Sequence, residues 1–251
     1  SSAASDVYKR QGGNRCRNIE LAASFLNGVT LEGGEALSFN KTVGERTAAR
    51  GFKEAKIIQS GEFISGVGGG VCQASTTLFN AALLSGLNVT ERRNHSLSVS
   101  YVPASRDAAV SSRCDLKIVN PFAYPVYLRA VCAGKRITVT FYGTRSRRTY
   151  ALCGKITGRT PPPEAEEKKL SAKEAAGLPA DGAGRIWLRA PKEGIKSVLY
   201  RETYENGRLI CREKLFSDSY APVRGIYGVT VKKAEGAAGK TEENGEEKDA
   251  P

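Results

Sequence analysis

Residues 66–78 read GVGGGVCQASTTL, and this stretch carries the strongest signal in the chain. Three consecutive glycines precede Cys72, and a segment with helical spacing follows it. A cysteine at a helix N-terminus meets free backbone N–H groups and the positive end of the helix dipole, which both lower the pKa of a thiol. A second interpretation stays open, in which the glycines form a plain tight turn and the cysteine is buried, because cysteine is among the most buried residue types.

Two helices are predicted around this stretch. The first covers residues 18–27 and ends at Gly28, and the second covers residues 73–85, which present an apolar stripe to the interior. Gly86 can take the left-handed conformation that commonly ends a helix.

The remaining pattern is mainly that of β-strands. Strands are predicted at residues 36–39, 55–58, 97–102, 115–119, 126–131, 136–142, 198–204 and 209–213. The pair Asn206-Gly207 is a strong signal for a tight hairpin between the last two. We therefore expect an α+β fold, in which helices pack on an antiparallel sheet.

Composition and charge exclude several classes of protein. No apolar run reaches the length of a membrane span, and the net charge of +12 favours anionic partners such as the anionic polymers of a cell wall. The chain lacks a recognition-helix pattern and zinc-finger spacing, so we expect no nucleic-acid partner. Because the 251 residues contain no methionine, we interpret the chain as a fragment or a processed form, so the absence of a signal peptide or anchor helix does not indicate a cytoplasmic location.

The cysteines predict neither a metal site nor a fixed set of disulfides. None of the six forms a CxxC pair, and the chain has only one histidine, His95. We therefore expect no structural zinc and no cofactor. An even number of cysteines permits disulfides without establishing any.

His95 lies 23 residues after Cys72 and is the candidate base for a nucleophilic thiol. Cysteine-dependent acyl transfer needs a thiolate, a base within reach and N–H donors for the developing oxyanion. The glycines can supply such donors, because backbone without side chains approaches a substrate carbonyl closely. Asp107 could orient the imidazole, although a backbone carbonyl could do the same. Arg92 and Arg93 could hold a substrate carboxylate or simply face solvent.

Four segments of the first half resemble the VanW family, which is named for an accessory gene of vancomycin-resistance clusters and is common in Gram-positive bacteria. They are NKTVGERT (40–47), GGGVCQASTTLFNA (68–81), ERRNHS (91–96) and YVP (101–103), the last followed by Asp107. Ser105 and the run Ala108-Ala109-Val110 depart from the family pattern. The resemblance extends over about residues 14–143.

The resemblance implies a peptidoglycan L,D-transpeptidase with Cys72 as nucleophile and His95 and Asp107 as its catalytic partners. We assign the oxyanion and substrate contacts to residues within these segments, namely Gly69, Gly70, Gln73, Ser75, Arg93 and Tyr101. The implied partners are peptidoglycan stem peptides, and the implied location is outside the cytoplasm, at the cell wall or membrane. Two alternatives stay open, a non-catalytic wall-binding protein and a cysteine peptidase that hydrolyses stem peptides.

The segments YRETYENG (200–207) and YAPV (220–223) lie in a stretch of about residues 147–230. This stretch is similar to a G5 domain, a small all-β module associated with binding to cell walls or glycans. The expected organisation is a scar or disordered start at 1–13, a VanW-like catalytic domain at 14–146, a G5-like module with a Pro-rich connection at 147–231, and a disordered tail at 232–251.

Overall fold

The computed structural model describes residues 2–7, 13–59 and 62–230. Its internal contacts divide the chain into two units, one of Ser1–Pro163 with Pro191–Val223 and one of Glu164–Ala190 with Arg224–Pro251. This division differs from the domain boundary expected at residue 147, because strands after that position belong to the first unit. The tail predicted at 232–251 lies outside the described residues.

The first unit contains most of the helices and strands. Its helices are α1 (Gly13–Leu26), α2 (Phe39–Val43) and α3 (Val71–Leu84), with a 3-10 turn at Ala48–Arg50. Its strands before α3 are β1 (Ser2–Val7), β2 (Thr30–Leu31), β3 (Ala36–Ser38), β4 (Glu54–Gln59) and β5 (Glu62–Val67). Its strands after α3 are β6 (Asn88–Glu91), β7 (Lys117–Val119), β8 (Val126–Ala133), β9 (Arg136–Tyr142), β10 (Arg148–Thr160), β13 (Gly194–Glu205) and β14 (Arg208–Tyr220).

These strands form four antiparallel sheets. Their strand orders are β1-β9-β8-β2, β3-β7-β6, β4-β5 and β10-β13-β14. Helices α1 and α3 pack against the first sheet, and alternate residues of β8 and β9 point into the core between them. Burial of these apolar side chains provides the main stabilising free energy of the unit. The α+β prediction is confirmed.

Helix α3 runs through the middle of this core. Every residue from Val71 to Leu83 is buried except Cys72, which is partly exposed. The helix ends as predicted, because Gly86 has a φ of 77° and its N–H donates to the carbonyl of Leu83 over 3.2 Å. The nucleophile candidate is therefore a partly exposed position at the start of a largely buried helix.

Two sequence-based expectations differ from the structure. Residues 97–102 were predicted as a strand but form an irregular segment, in which Leu97 is buried without strand pairing. Residues 1–13 were left out of the fold, whereas Ser2–Val7 forms β1 on the edge of the first sheet and α1 begins at Gly13. Apolar content alone predicted the first segment, and backbone pairing with β9 accounts for the second.

The second unit is small and mostly β. It contains β11 (Glu166–Leu170), α4 (Ala172–Ala175), β12 (Ile186–Arg189) and β15 (Ile226–Thr230). Strand β15 lies in the centre, parallel to β11 and antiparallel to β12. Trp187 packs edge-on against Tyr227, with ring centroids 5.6 Å apart, and its indole N–H donates to Asp181.

Candidate functional site

The glycine run forms the turn that starts α3. Gly70 is the N-cap residue, with a φ of 108° that an L side chain rarely adopts. Gly69 is needed for a different reason, since a Cβ there would lie 2.7 Å from backbone atoms of β4. The run therefore serves to bring the first turn of α3 close against β4, with Cys72 at the second helical position.

The first turn of α3 leaves backbone N–H groups available beside the thiol. The N–H groups of Val71 and Gln73 donate to carbonyls of the turn, over 3.1 and 2.8 Å. Those of Gly70 and Cys72 make no hydrogen bond within the described residues. Unpaired N–H groups at a helix N-terminus are suited to bind an anion. The role of these groups as oxyanion donors stays a prediction.

Cys72, His95 and Asp107 are brought together in the order that nucleophilic catalysis requires. His95 lies close enough to Cys72 to act on the pKa of its thiol, and Sγ of Cys72 donates to the carbonyl of Val110 over 3.5 Å. On the other side of the ring, Nδ1 lies 2.6 Å from Oδ2 of Asp107. The carboxylate also accepts from the backbone N–H of His95 over 2.7 Å, which fixes the ring relative to its own main chain. Such a chain holds one ring nitrogen toward the nucleophile.

The electrostatics of these groups favour a thiolate and an imidazolium. Burial acts against both charges, but the hydrogen bond and the charge of His95 hold the pKa of Cys72 below its ordinary value. Burial also opposes the imidazolium, yet hydrogen bonds to Asp107 and Cys72 raise the pKa of His95 to about 9. The pKa of Asp107 is lowered despite burial, chiefly by its hydrogen bond to His95. The shifts of Cys72 and His95 thus both favour the ionised form of the nucleophile.

Asp107 is held by residues that sequence reasoning missed. Its Oδ1 accepts from Nη2 of Arg92 over 3.2 Å and from the hydroxyl of Tyr220. Arg92 also donates to Asp218 over 2.6 Å, and its side chain is only 1% exposed. Tyr220 and Asp218 lie on β14, more than 100 residues along the chain from Asp107. No local motif signals a contact over that separation.

The two arginines before His95 therefore have different environments. Arg92 was a candidate for binding a substrate carboxylate, but it is buried, with its guanidinium stacked between the rings of Phe79 and Phe216 at 5.2 and 5.1 Å. That expectation is wrong for Arg92, because its charge is already paired with two aspartates. Arg93 is exposed and forms a backbone bridge with Ala109, so its role in substrate binding stays a prediction.

Gln73 and Ser75 were assigned to the substrate site, but the structure gives them packing positions. Both are completely buried. The hydroxyl of Ser75 donates to the carbonyl of Ala108 over 2.7 Å, and Oε1 of Gln73 accepts from Arg15 over 3.2 Å. Both side chains thus make internal hydrogen bonds, and their roles as substrate contacts stay predictions.

Tyr101 lies near the nucleophile. Burial together with the negative charges of Cys72 and Asp107 raises its pKa. Tyr101 therefore stays protonated and can donate a hydrogen bond near the site. Its assignment as a substrate contact remains a prediction.

Ser105, one of the departures from the family pattern, has a φ of 65° and is fully buried. Its backbone N–H donates to the hydroxyl of Tyr220 over 2.7 Å, and its own hydroxyl is 2.7 Å from that of Ser197. Glycine adopts this left-handed backbone without strain, whereas a serine is strained in it. The hydrogen bond between Ser105 and Ser197 offsets part of that strain.

Arg46 is a further residue near Cys72 to which the sequence analysis assigned no role. It lies close enough to Cys72 for its positive charge to help lower the pKa of the thiol. Its Nη2 donates to Oδ1 of Asn40. An added Cβ on Gly68 would lie 2.9 Å from Cβ of Arg46, so this side chain packs on the glycine turn itself.

In the part of the chain that the structure describes, no three His, Cys, Asp or Glu side chains are grouped so that they could hold a metal ion. No described helix is both long enough and apolar enough to span a membrane.

Comparison with known proteins places the sequence match in the first half of the chain. A family model described as VanW like protein matches residues 14–142. The chain is 42% identical over 132 residues to the uncharacterized protein YoaR of Bacillus subtilis (strain 168), covering 52% of this chain and 44% of that protein. It is 32% identical over 113 residues to the vancomycin B-type resistance protein VanW of Enterococcus faecalis (strain ATCC 700802 / V583), covering 43% and 41%. The chain thus spans less than half the length of either relative.

Solved structures give a weaker likeness. The crystal structure of HP0197-G5 is 18% identical and covers 34% of this chain and 99% of its own, with a TM-score of 0.15. The IgA1 protease G5 domain is 19% identical and covers 36% and 100%, with a TM-score of 0.17. The assignment of residues 147–231 as a G5-like module stays a prediction.

Proposed function

This chain belongs to the VanW-like protein family, and on that premise we propose that it is a cell-wall-associated, cysteine-dependent acyltransferase. The observation that carries the proposal is the grouping of Cys72 with a His95–Asp107 pair that is hydrogen bonded over 2.6 Å, at the only partly exposed position of the first three turns of α3. A buried structural cysteine has no need of an imidazole and a carboxylate aligned behind it.

The proposed first step is attack on a peptidoglycan stem. The Cys72 thiolate adds to the carbonyl carbon of the diaminopimelate residue in a tetrapeptide, and the carbonyl oxygen becomes an oxyanion. The unpaired N–H groups of Gly70 and Cys72 are available to bind that oxyanion. When the intermediate collapses, the bond to the terminal D-alanine breaks, His95 gives its proton to the leaving amine, and a thioester remains on Cys72.

The second step transfers the acyl group. The side-chain amine of another stem attacks the thioester, His95 takes a proton from that amine, and the Cys72 thiolate is released. The product is a 3–3 cross-link. If water attacks in place of the amine, the same site acts as a peptidase and releases a tripeptide.

The test incubates purified protein with disaccharide tetrapeptides and follows the products by mass spectrometry. We expect cross-linked dimer and free D-alanine, both abolished in Cys72→Ala. The matched control is Cys211→Ala, which removes an exposed thiol on β14 and should leave turnover unchanged. Tripeptide without dimer would assign hydrolysis, and product undiminished in Cys72→Ala would contradict the proposal.

The alternative function is that of a non-catalytic wall-binding protein. In that case the protein would bind isolated sacculi, Cys72→Ala would bind equally well, and no electrophile would label Cys72 in preference to the exposed Cys211. Preferential labelling of Cys72 by a carbapenem is the expected result for the acyltransferase.

A further inference from the structure

We propose that Arg46 is the receptor for a carboxylate on the acyl donor, which restricts this site to anionic substrates. The chemical identity of that donor rests on the proposed function. The anion contact itself does not, since it follows from the placement of Arg46 beside the nucleophile.

The position of Arg46 is defined by contacts on two sides. Its guanidinium lies over the ring of Phe39 at 5.8 Å from the centroid and donates to Oδ1 of Asn40. Asn40 is itself fixed, because its Nδ2 donates to the carbonyls of Ser111 and Cys114 over 2.9 and 3.0 Å. Together with the packing on Gly68, these contacts hold the guanidinium beside the turn that presents Cys72.

The positive charge of Arg46 and most of its N–H donors have no partner within the described residues. Its only hydrogen bond within the described residues is the one to Asn40, and no carboxylate of those residues lies within ion-pair distance. The nearby Asp115 is used elsewhere, since its oxygens accept from the hydroxyl of Ser38 and from backbone N–H groups, including that of Asn40 over 2.8 Å. A half-buried guanidinium with one hydrogen bond gains free energy when an anion binds to it.

Two other arginines, Arg92 and Arg50, differ from Arg46 because their guanidinium groups already have partners. Arg92 is neutralised by two aspartates, and Nη1 of Arg50 donates to the carbonyls of Val43 and Glu45 over 2.7 Å each. Burial lowers the pKa of Arg46, and the negative charge of Cys72 is the largest influence that opposes this. In the described part of the site, Arg46 is therefore the guanidinium whose main electrostatic partner is the nucleophile.

A stem tetrapeptide offers two carboxylates near the reacting carbonyl. One belongs to the terminal D-alanine that leaves, and the other is the side-chain carboxylate of diaminopimelate. Both have the chemistry that a guanidinium binds through paired N–H donors. With the oxyanion held at the first turn of α3, an anchored carboxylate would position the carbonyl carbon over Sγ.

The first experiment needs no knowledge of the substrate. Cys72 is alkylated with iodoacetate or with iodoacetamide, and in both reactions the thiolate forms an S–C bond and iodide leaves. The ratio of the two rates, read from intact mass with the modified site mapped by peptide analysis, reports attraction of an anion to the thiolate. We expect this ratio to fall about tenfold in Arg46→Gln, since a charge-assisted hydrogen bond is lost.

Two further variants make the result specific. Lys41→Gln removes an equal charge from an exposed position in the same segment and should leave the ratio unchanged. Arg46→Lys keeps the charge but cannot pair two N–H groups with a carboxylate, so the ratio should fall to an intermediate value. If Arg46→Gln does not fold, a ratio in Arg46→Lys equal to that of the wild type overturns the proposal, as does an unchanged ratio in Arg46→Gln.

The second experiment identifies the carboxylate. Two modified tetrapeptides are compared as acyl donors. One ends in D-alaninamide, and the other carries an amidated diaminopimelate side chain, so that each lacks one of the two carboxylates. The donor that lacks the bound carboxylate should lose about tenfold in kcat/KM with wild type and little with Arg46→Gln. If the wild type forms cross-links but the alkylation ratio does not depend on Arg46, the carboxylate receptor is wrong and the proposed function stands. If the ratio depends on Arg46 but the wild type forms no cross-links, the proposed function is wrong and the receptor stands.

Discussion

Asp107→Asn tests whether the buried carboxylate controls the reactivity of Cys72 through His95. In the structure Oδ2 accepts from both the ring Nδ1 and the backbone N–H of His95, over 2.6 and 2.7 Å. An asparagine keeps the shape of the side chain, but it is neutral and its amide nitrogen cannot accept a hydrogen bond. The substitution therefore removes the charge that stabilises the imidazolium.

The size of the effect follows from the pKa of His95. The rise from 6.5 to about 9 corresponds to about 3 kcal/mol in favour of the protonated ring, at roughly 1.4 kcal/mol for each pKa unit. An opposite charge at hydrogen-bond distance accounts for about 1–3 pKa units of such a rise. We expect the pKa of His95 in Asp107→Asn to fall by at least about one unit, and the thiolate of Cys72 to lose a comparable part of its stabilisation.

The assay is the pH dependence of Cys72 alkylation by iodoacetamide, measured on folded protein below its melting temperature. The midpoint should lie below the ordinary thiol range in the wild type and rise by about one pH unit or more in Asp107→Asn. Asp181→Asn is the matched control, because Asp181 is also held by several donors but does not influence Cys72. A midpoint that is the same in wild type and Asp107→Asn would refute the reasoning.

Three other predictions concern the same region. Gly69→Ala should lower the free energy of unfolding in urea by about 2 kcal/mol or more, because the new Cβ would meet backbone that cannot move aside. Tyr220→Phe should cost about 2–4 kcal/mol in the same measurement, since Asp107 loses a donor and the buried N–H of Ser105 loses its acceptor. The acylation rate should fall as the pH rises through about 9, where His95 loses the proton that the leaving amine needs, and a rate that keeps rising to pH 10 would contradict this role.

Much of the first unit could be predicted because its signals are local. The apolar period of α3, the glycine at its end and the alternation in β8 and β9 need only neighbouring residues. Asn206-Gly207 likewise forms the predicted hairpin, with φ values of 48° and 80°. The sequence did not reveal that β13 and β14 belong to the same unit as α3, since that depends on which surfaces of distant segments fit together.

The candidate site likewise contains some residues that could be predicted from the sequence and others that could not. Cys72 and His95 could be named because their residue types are rare in this chain and chemically specific. The supporting residues Arg92 and Tyr220 could not, because arginine and tyrosine are common and only the distances to Asp107 distinguish these two. The burial of Gln73 and Ser75 could not be predicted either, since it depends on the segments that pack over the first turns of α3, and their roles as substrate contacts stay predictions.

The hydroxyl of Tyr220 and the carboxylate of Asp218 have a consequence for how the protein is made. A ribosome delivers residues 72, 95 and 107 well before it delivers the strand that steadies them, and contacts this far apart form late in folding. A shortened chain that stops after residue 142 keeps Cys72, His95 and Asp107 but lacks the contacts of Tyr220 and Asp218. We expect its Cys72 to react more slowly with iodoacetamide than that of the full chain.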